Sequence, residues 1–294
     1  MVDVVETQAG ELRTVLGVLD GMPAEDGAGV KLTRVIGQPR LDMLDPFLLL
    51  DSFKSDRPGD YIAGFPPHPH RGFETVTYIL DGRLRHEDSA GNAGVIEAGG
   101  IQWMTAARGI VHSEMPEQKD GLLWGFQLWV NLPSRHKMDP PRYQEFQADR
   151  IPVEEREGGA RIKVVTGRTS QGTEGPVRDV AVEPLYLDVT LGPGGSFEEA
   201  LPPGHNAFLF GIGGRASIQV PDGGDVPLRQ EELAVLGQGD RIRVNAVGGE
   251  ESRFLLVAGR PIGEPVARAG PFVMNTREEI LQAFQDYQSG RFLG

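Results

Sequence analysis

Three of the six histidines lie in two tight clusters, His68-Pro69-His70 and His112-Ser113-Glu114. In an extended strand residues i and i+2 point to one face, with alpha carbons roughly 7 Å apart. A His-x-His pair and a His-x-Glu pair therefore read as four metal ligands, whose donor atoms can converge on one ion at about 2.0–2.2 Å. The competing reading is a chance gathering of surface histidines, and two alternately spaced clusters argue against it. The chain has no cysteine, which removes disulfides, thiolate nucleophiles, zinc fingers and iron–sulfur clusters together. Any ion must be held by nitrogen and oxygen, a donor set that suits iron, manganese, nickel, cobalt, copper(II) or zinc.

Such a site needs strands to carry it. Glycine (40) and proline (22) are spread between short apolar runs over the whole chain, a pattern of many strands joined by turns. Thr75-Val-Thr-Tyr-Ile-Leu80 is rich in β-branched and aromatic residues, and Asp81-Gly82 after it is a hairpin signal. Leu122–Val130 is almost wholly apolar, as expected of a strand buried on both faces. The proline-rich stretches Asn131–Ser134 and Asp139–Arg142 then break the pattern and place a domain boundary near residue 145, dividing the chain into 1–145 and 146–294. Further strands are expected at Ile162–Thr166, Leu185–Leu191, Ala207–Ile212 and Phe254–Ala258. One helix is signalled near the end by the capping box Thr276-Arg-Glu-Glu279, with Ile280, Ala283, Phe284 and Tyr287 at helical spacing.

Bulk composition narrows the function. The 294 residues can form two ordinary domains, and 39% hydrophobic residues allow a sizeable core. No apolar run is long enough to span a membrane. The N-terminus, Met1-Val-Asp-Val-Val-Glu-Thr7, lacks the features of a secretory signal, so cytoplasm is the expected location. A net charge of 29 − 42 = −13 repels phosphate backbones and argues against direct nucleic-acid binding.

The two halves look like relatives. Tyr78-Ile-Leu-Asp-Gly-Arg-Leu84 aligns with Phe210-Gly-Ile-Gly-Gly-Arg-Ala216. Carried back, that offset sets His68 and His70 on Ala200 and Pro202; further on, Ala98-Gly-Gly-Ile-Gln102 has a looser echo in Gly237-Gln-Gly-Asp-Arg241, and near the His112 equivalent lie Glu250, Glu251 and Ser252. The second half reads as a duplicate that has lost its ligands, with His205 unpaired. One metal per chain is expected, in the first half.

The motifs also resemble a known family. His68-x-His70 followed by Glu74 is similar to the first cupin motif, and Gly109-Ile-Val-His112 to the end of the second. Within cupins, His68–Thr75, Gln102–Pro116 and Gly125–Pro133 resemble the pirin signature nearly residue for residue, down to Asp286-Tyr-Gln-Ser-Gly-Arg-Phe292. The usual proline of the second motif is Ala107 here, and one extra residue separates Glu74 from Gly82. The resemblance implies an all-β protein of two tandem jelly-roll barrels with a short C-terminal helix, the first barrel holding one metal on His68, His70, His112 and Glu114. Glu74 stands where many other cupins take their carboxylate ligand. It lies roughly 13 Å from His70 along a straight strand and reaches the ion only if the chain bends at Arg71-Gly72; otherwise it would orient a ligand imidazole or face solvent.

The resemblance further implies a metal-dependent dioxygenase, with Fe(II) as the first candidate ion, that uses O2 to cleave flavonols such as quercetin; Glu114 or Glu74 would be the general base. The alternative it implies is a non-enzymatic regulator that binds a transcription factor or metabolic enzyme and uses the metal as a redox sensor. Trp103, Met104, Phe53, Phe65 and Trp129 are candidate walls for a flat aromatic substrate, or simply core. Gln127 is the one polar group of its strand and needs a partner. Arg71 reads as a surface salt bridge, His86 as part of a solvated charged run, and His136 as a linker residue.

Overall fold

The structure, a computed structural model, describes residues 10–293. It contains two β-barrels of matching construction. Strand β1 (Val15–Asp20) is followed by the strands of the first barrel: β2 (Met22–Asp26), β3 (Val30–Ile36), β4 (Phe47–Ser55), β5 (Phe65–His70), β6 (Phe73–Asp81), β7 (Arg83–Asp88), β8 (Ala93–Glu97), β9 (Ile101–Thr105), β10 (Ile110–Pro116), β11 (Leu123–Asn131) and β12 (Arg142–Phe146). The second barrel follows as β13 (Val153–Arg156), β14 (Ala160–Thr166), β15 (Leu185–Leu191), β16 (Ser196–Ala200), β17 (Asn206–Gly213), β18 (Arg215–Gln219), β19 (Asp225–Arg229), β20 (Glu232–Leu236), β21 (Arg241–Ala246) and β22 (Ser252–Gly259). A short hairpin, β23 (Ala267–Ala269) and β24 (Phe272–Met274), leads into helix α1 (Arg277–Gln288). No helix among the described residues is long and apolar enough to cross a membrane.

Each barrel closes a seven-stranded sheet over a four-stranded one. The orders are β12-β9-β6-β11-β4-β3-β2 over β5-β10-β7-β8, and β1-β20-β17-β22-β15-β14-β13 over β16-β21-β18-β19. Strand for strand the lists correspond, including the edge positions of β12 and β1. Yet β1 precedes the first barrel in sequence and pairs with β20 of the second. The far end of the chain makes the reverse crossing, since Phe272 bridges to Arg71 in the first barrel. Each barrel is thus completed by a segment from beyond the other.

The two seven-stranded sheets pack outer face to outer face. Val76, Tyr78, Trp103, Phe126 and Leu128 of one meet Tyr186, Phe208, Phe210, Leu255 and Val257 of the other in one buried cluster. Phe47 meets Phe208 edge-on at 5.3 Å and Phe126 meets Phe210 at 5.5 Å. Burial of each such side chain contributes about 1.5–3 kcal/mol, so the barrels are held together by an apolar seam. Trp103, a candidate substrate wall by sequence, belongs to this seam, and Met104 packs with Ala106 and Ile110. Both are core.

Helix α1 forms where the capping box places it: the Glu279 amide donates to Thr276 Oγ1 at 3.2 Å and the Thr276 amide to Glu279 Oε2 at 2.9 Å. Its buried residues Ile280 and Ala283 cluster with Phe272 and Phe292 against Val111 of β10. That contact brings the end of the chain to the strand carrying His112.

Candidate metal centre

Strand alternation delivers the histidines as their spacing requires. His68 and His70 project from β5 to one face, and β10 pairs with β5 so that His112 stands opposite His68. One donor atom from each of the three rings lies within 4.8 Å of the others. Ring centroids are 4.7 Å apart for His68–His70, 4.3 Å for His68–His112 and 5.0 Å for His70–His112. His68 Nδ1 lies 2.8 Å from the Pro66 carbonyl and His70 Nδ1 lies 3.4 Å from the Pro271 carbonyl. A carbonyl only accepts, so each Nδ1 is the donor and each Nε2 keeps its lone pair. Burial, reinforced by His68, pushes His70 well below the ordinary imidazole range. Burial followed by His70, His68 and His86 does the same to His112. His112 Nε2 is buried without any hydrogen-bond partner. A buried nitrogen left unpaired is costly, and a metal ion among the three imidazoles would satisfy it. The donor set fits such an ion.

Glu114 does not join the tight group of three. A register irregularity between His112 and Glu114 separates them. The Glu114 carboxylate instead accepts Thr77 Oγ1 on Oε1 at 2.6 Å and Gln127 Nε2 on Oε2 at 3.0 Å. Gln127, the polar exception of its apolar strand, is thereby accounted for. Glu114, His68 and His70 line one cavity of about 690 Å³, with Leu49, Phe53, Phe65 and Trp129 among its apolar walls. Arg34 lies on the same wall, bound to Asp51 through two hydrogen bonds of 2.9 and 2.8 Å.

Glu74 is the residue the structure does not bring in. The chain does turn at Gly72, whose φ is +90° and where a Cβ would lie 1.8 Å from the Val273 carbonyl. Beyond the turn, however, β6 belongs to the other sheet. Thr77 faces Glu114, so Glu74, three residues away, has the opposite parity and shares the outer face of Val76 and Tyr78. Its Oε1 accepts Thr105 Oγ1 at 2.6 Å, and its Oε2 is buried without a partner. Desolvation raises its pKa to about 7. Neither the base role nor the imidazole-orienting role fits this placement.

Other readings also change. Arg71 is buried: its guanidinium donates to the Arg108 carbonyl, to Asp286 Oδ2 at 2.7 Å and to the Phe292 carbonyl at 3.3 Å. It bolts the C-terminal segment onto the end of the strand that carries His68 and His70. Lys137, also buried, donates to Gly72 O at 2.7 Å and Val273 O at 3.0 Å across the same joint. His86 is fully buried and stacks on Tyr143 at 4.9 Å. Its signal lay in the alternation of Arg83, Arg85 and Glu87 with Leu84 and His86, which places the histidine on the inner face with Leu84. His136 pairs with Asp139 at 2.7 Å in the connection.

Two barrels joined back to back, one of them with a three-histidine cluster at an open cavity, define a bicupin with one candidate metal site among its described residues. Comparison with known proteins gives the family. Residues 29–130 match the model of pirin, and residues 186–293 match that of the pirin C-terminal cupin domain. A pirin-like protein of Caulobacter vibrioides is 55% identical over 281 residues, covering 96% of this chain and 99% of its own. Pirin of Homo sapiens is 43% identical, with 95% and 93% covered. Among solved structures, a quercetin 2,3-dioxygenase from Acinetobacter baumannii superposes with a TM-score of 0.85 at 33% identity, covering 96% of this chain and 98% of that one. The chain belongs to the pirin family.

Proposed function

We propose that this protein is a metal-dependent dioxygenase that opens the central ring of flavonols such as quercetin at one mononuclear centre in the first barrel. The observation that carries this reading is the three-histidine cluster at the wall of an aromatic-lined cavity. The name of the Acinetobacter relative supports the substrate class. His68, His70, His112 and Glu114 are the side chains that would hold the ion. When bound, a divalent ion, with Fe(II) the first candidate and Mn, Ni, Co, Cu or Zn behind it, supplies Lewis acidity and open positions for a hydroxy-ketone and O2.

The chain's own residues supply the rest. Leu49, Phe53, Phe65 and Trp129 offer apolar surface to a flat ring system and exclude water from it. Glu114 serves as general base and accepts the 3-hydroxyl proton at Oε2, the oxygen that Gln127 holds at the cavity wall. Thr77 fixes the other oxygen, so the carboxylate is oriented before substrate arrives.

The test is aerobic incubation with quercetin and Fe(II), read as loss of flavonol absorbance, with the other ions in parallel. Metal-dependent consumption is expected. No consumption with any ion, or full cleavage by a His70→Ala variant that retains metal, overturns the assignment.

A further inference from the structure

Beside His112 lies another buried imidazole, His86, that no part of the proposed reaction uses and that does not line the cavity. His86 Nδ1 is 3.4 Å from His112 Nδ1, and His86 Nε2 is 3.2 Å from Asp88 Oδ2. Both the His86 and Asp88 side chains are 0% exposed. Tyr143 stacks on the outer face of His86 with an interplanar angle of 29°, and Tyr143 is itself held by Gln102 and Glu145. The ring is thus clamped in place.

The direction of each hydrogen bond follows from Asp88. Its Oδ1 accepts the Ala90 and Asn92 amides at 2.9 and 3.0 Å, and its Oδ2 accepts Asn92 Nδ2 at 2.9 Å. A carboxylate receiving only N–H donors is an acceptor, so His86 Nε2 carries the hydrogen that faces it. His86 Nδ1 then presents a lone pair to His112, and His112 Nδ1 is the donor. The remaining nitrogen, His112 Nε2, keeps its own lone pair and faces the cluster unpartnered. A ligating histidine commonly gives its other N–H to an acceptor that fixes tautomer and ring orientation. His68 and His70 use backbone carbonyls for this purpose, whereas His112 uses a side-chain pair.

We propose that Asp88 and His86 form a relay that locks His112 with its Nε2 lone pair towards the metal position, which makes His86 a positioning residue of that site. The inference rests on the metal reading of the three-histidine cluster.

The experiment compares His86→Leu, which removes the acceptor, with His86→Asn, whose Oδ1 can replace it. Metal-free chains are titrated with Zn(II) against a chromophoric chelator, and the His112 tautomer is read from imidazole proton–nitrogen correlation spectra. The wild-type chain should carry the His112 proton on Nδ1. The leucine variant should lose that preference and bind Zn(II) about 10–100-fold more weakly, and the asparagine variant should recover most of both. Zn(II) binding by His86→Leu at wild-type strength overturns the proposal. So does equal loss in both variants together with a lowered melting temperature of the metal-free chain, which marks a packing role. Should the wild-type chain fail to bind Zn(II), the metal reading falls; the tautomer then decides the relay alone, and a proton on His112 Nε2 overturns it.

Discussion

The two barrels share strand order and differ in what fills them. In the first, His112 pairs across β5 and β7 with His68 and Asp88; in the second, Val244 pairs across β16 and β18 with Phe197 and Ile218. Phe197, Ile218 and Val244 belong to an apolar cluster that also takes in Leu209, Ile242 and Leu256. The first barrel has smaller apolar clusters, around Phe53, Ile79 and Leu123, around Leu48 and Phe73, and around Met104 and Ile110, and gives part of its interior to imidazoles, hydroxyls and amides. One scaffold therefore supports two solutions. The second barrel's interior stabilises by burial, whereas the first forgoes part of that stabilisation to keep a polar, open site. Their apolar seam lets the filled barrel offset the cost of the open one.

That contrast can be tested where it should be sharpest. His70→Ala should bring turnover to background and weaken Zn(II) binding beyond the roughly 100-fold cost of losing an outer hydrogen-bond partner. Competition titration checks it, and unchanged affinity would erase the distinction between the barrels. Phe197→Ala in the second barrel should cost about 3–5 kcal/mol in stability and leave Zn(II) affinity intact, as read by denaturant unfolding and the same titration.

Glu74 tests the seam. Burial raises its pKa from 4.5 to about 7, so within that window the folded chain holds a proton the unfolded chain has released. Stability therefore falls as pH rises from about 4.5 to 7 and levels off above. Glu74→Gln should remove this dependence, gaining on the wild type across the window by up to about 3 kcal/mol. A difference that stays flat with pH would mean that Glu74 is charged in the folded state. The smallest effect is expected of Thr77→Val, which frees one Glu114 oxygen and should slow turnover by about fivefold, equivalent to roughly 1 kcal/mol.

Much of this was legible in the sequence because strands and ligands follow local periodicity. The alternate spacing of His68 and His70 set both rings on one face, and the capping box fixed the start of α1. The all-β character followed from turn spacing, and the two-barrel architecture from the family resemblance of the motifs. Long-range pairing was not legible. No local pattern in Val15–Asp20 says that this strand completes the second barrel, and none in Phe272 that it bridges to Arg71. Arg71 looked like a surface cation for that reason: the Asp286 carboxylate and the Phe292 carbonyl that bind it lie 215 and 221 residues away. The looser echo of Ala98–Gln102 in Gly237–Arg241 misplaced the second barrel's counterpart of His112 near Ser252. Ser252 opens β22, the equivalent of β11, while the partner of the His112 strand is β21. Loops of unequal length shift the offset between the halves without disturbing the strand order. The face of Glu74 depended on a change of sheet at Gly72, which residue spacing does not encode.

The central claim is that the first barrel alone holds the metal. Its most direct test is the stoichiometry of Zn(II) bound by the metal-free chain, measured for the wild type and for His112→Ala. One tightly bound ion per chain, lost in the variant, is the expected result. Two ions per chain, or one that persists without His112, would contradict it.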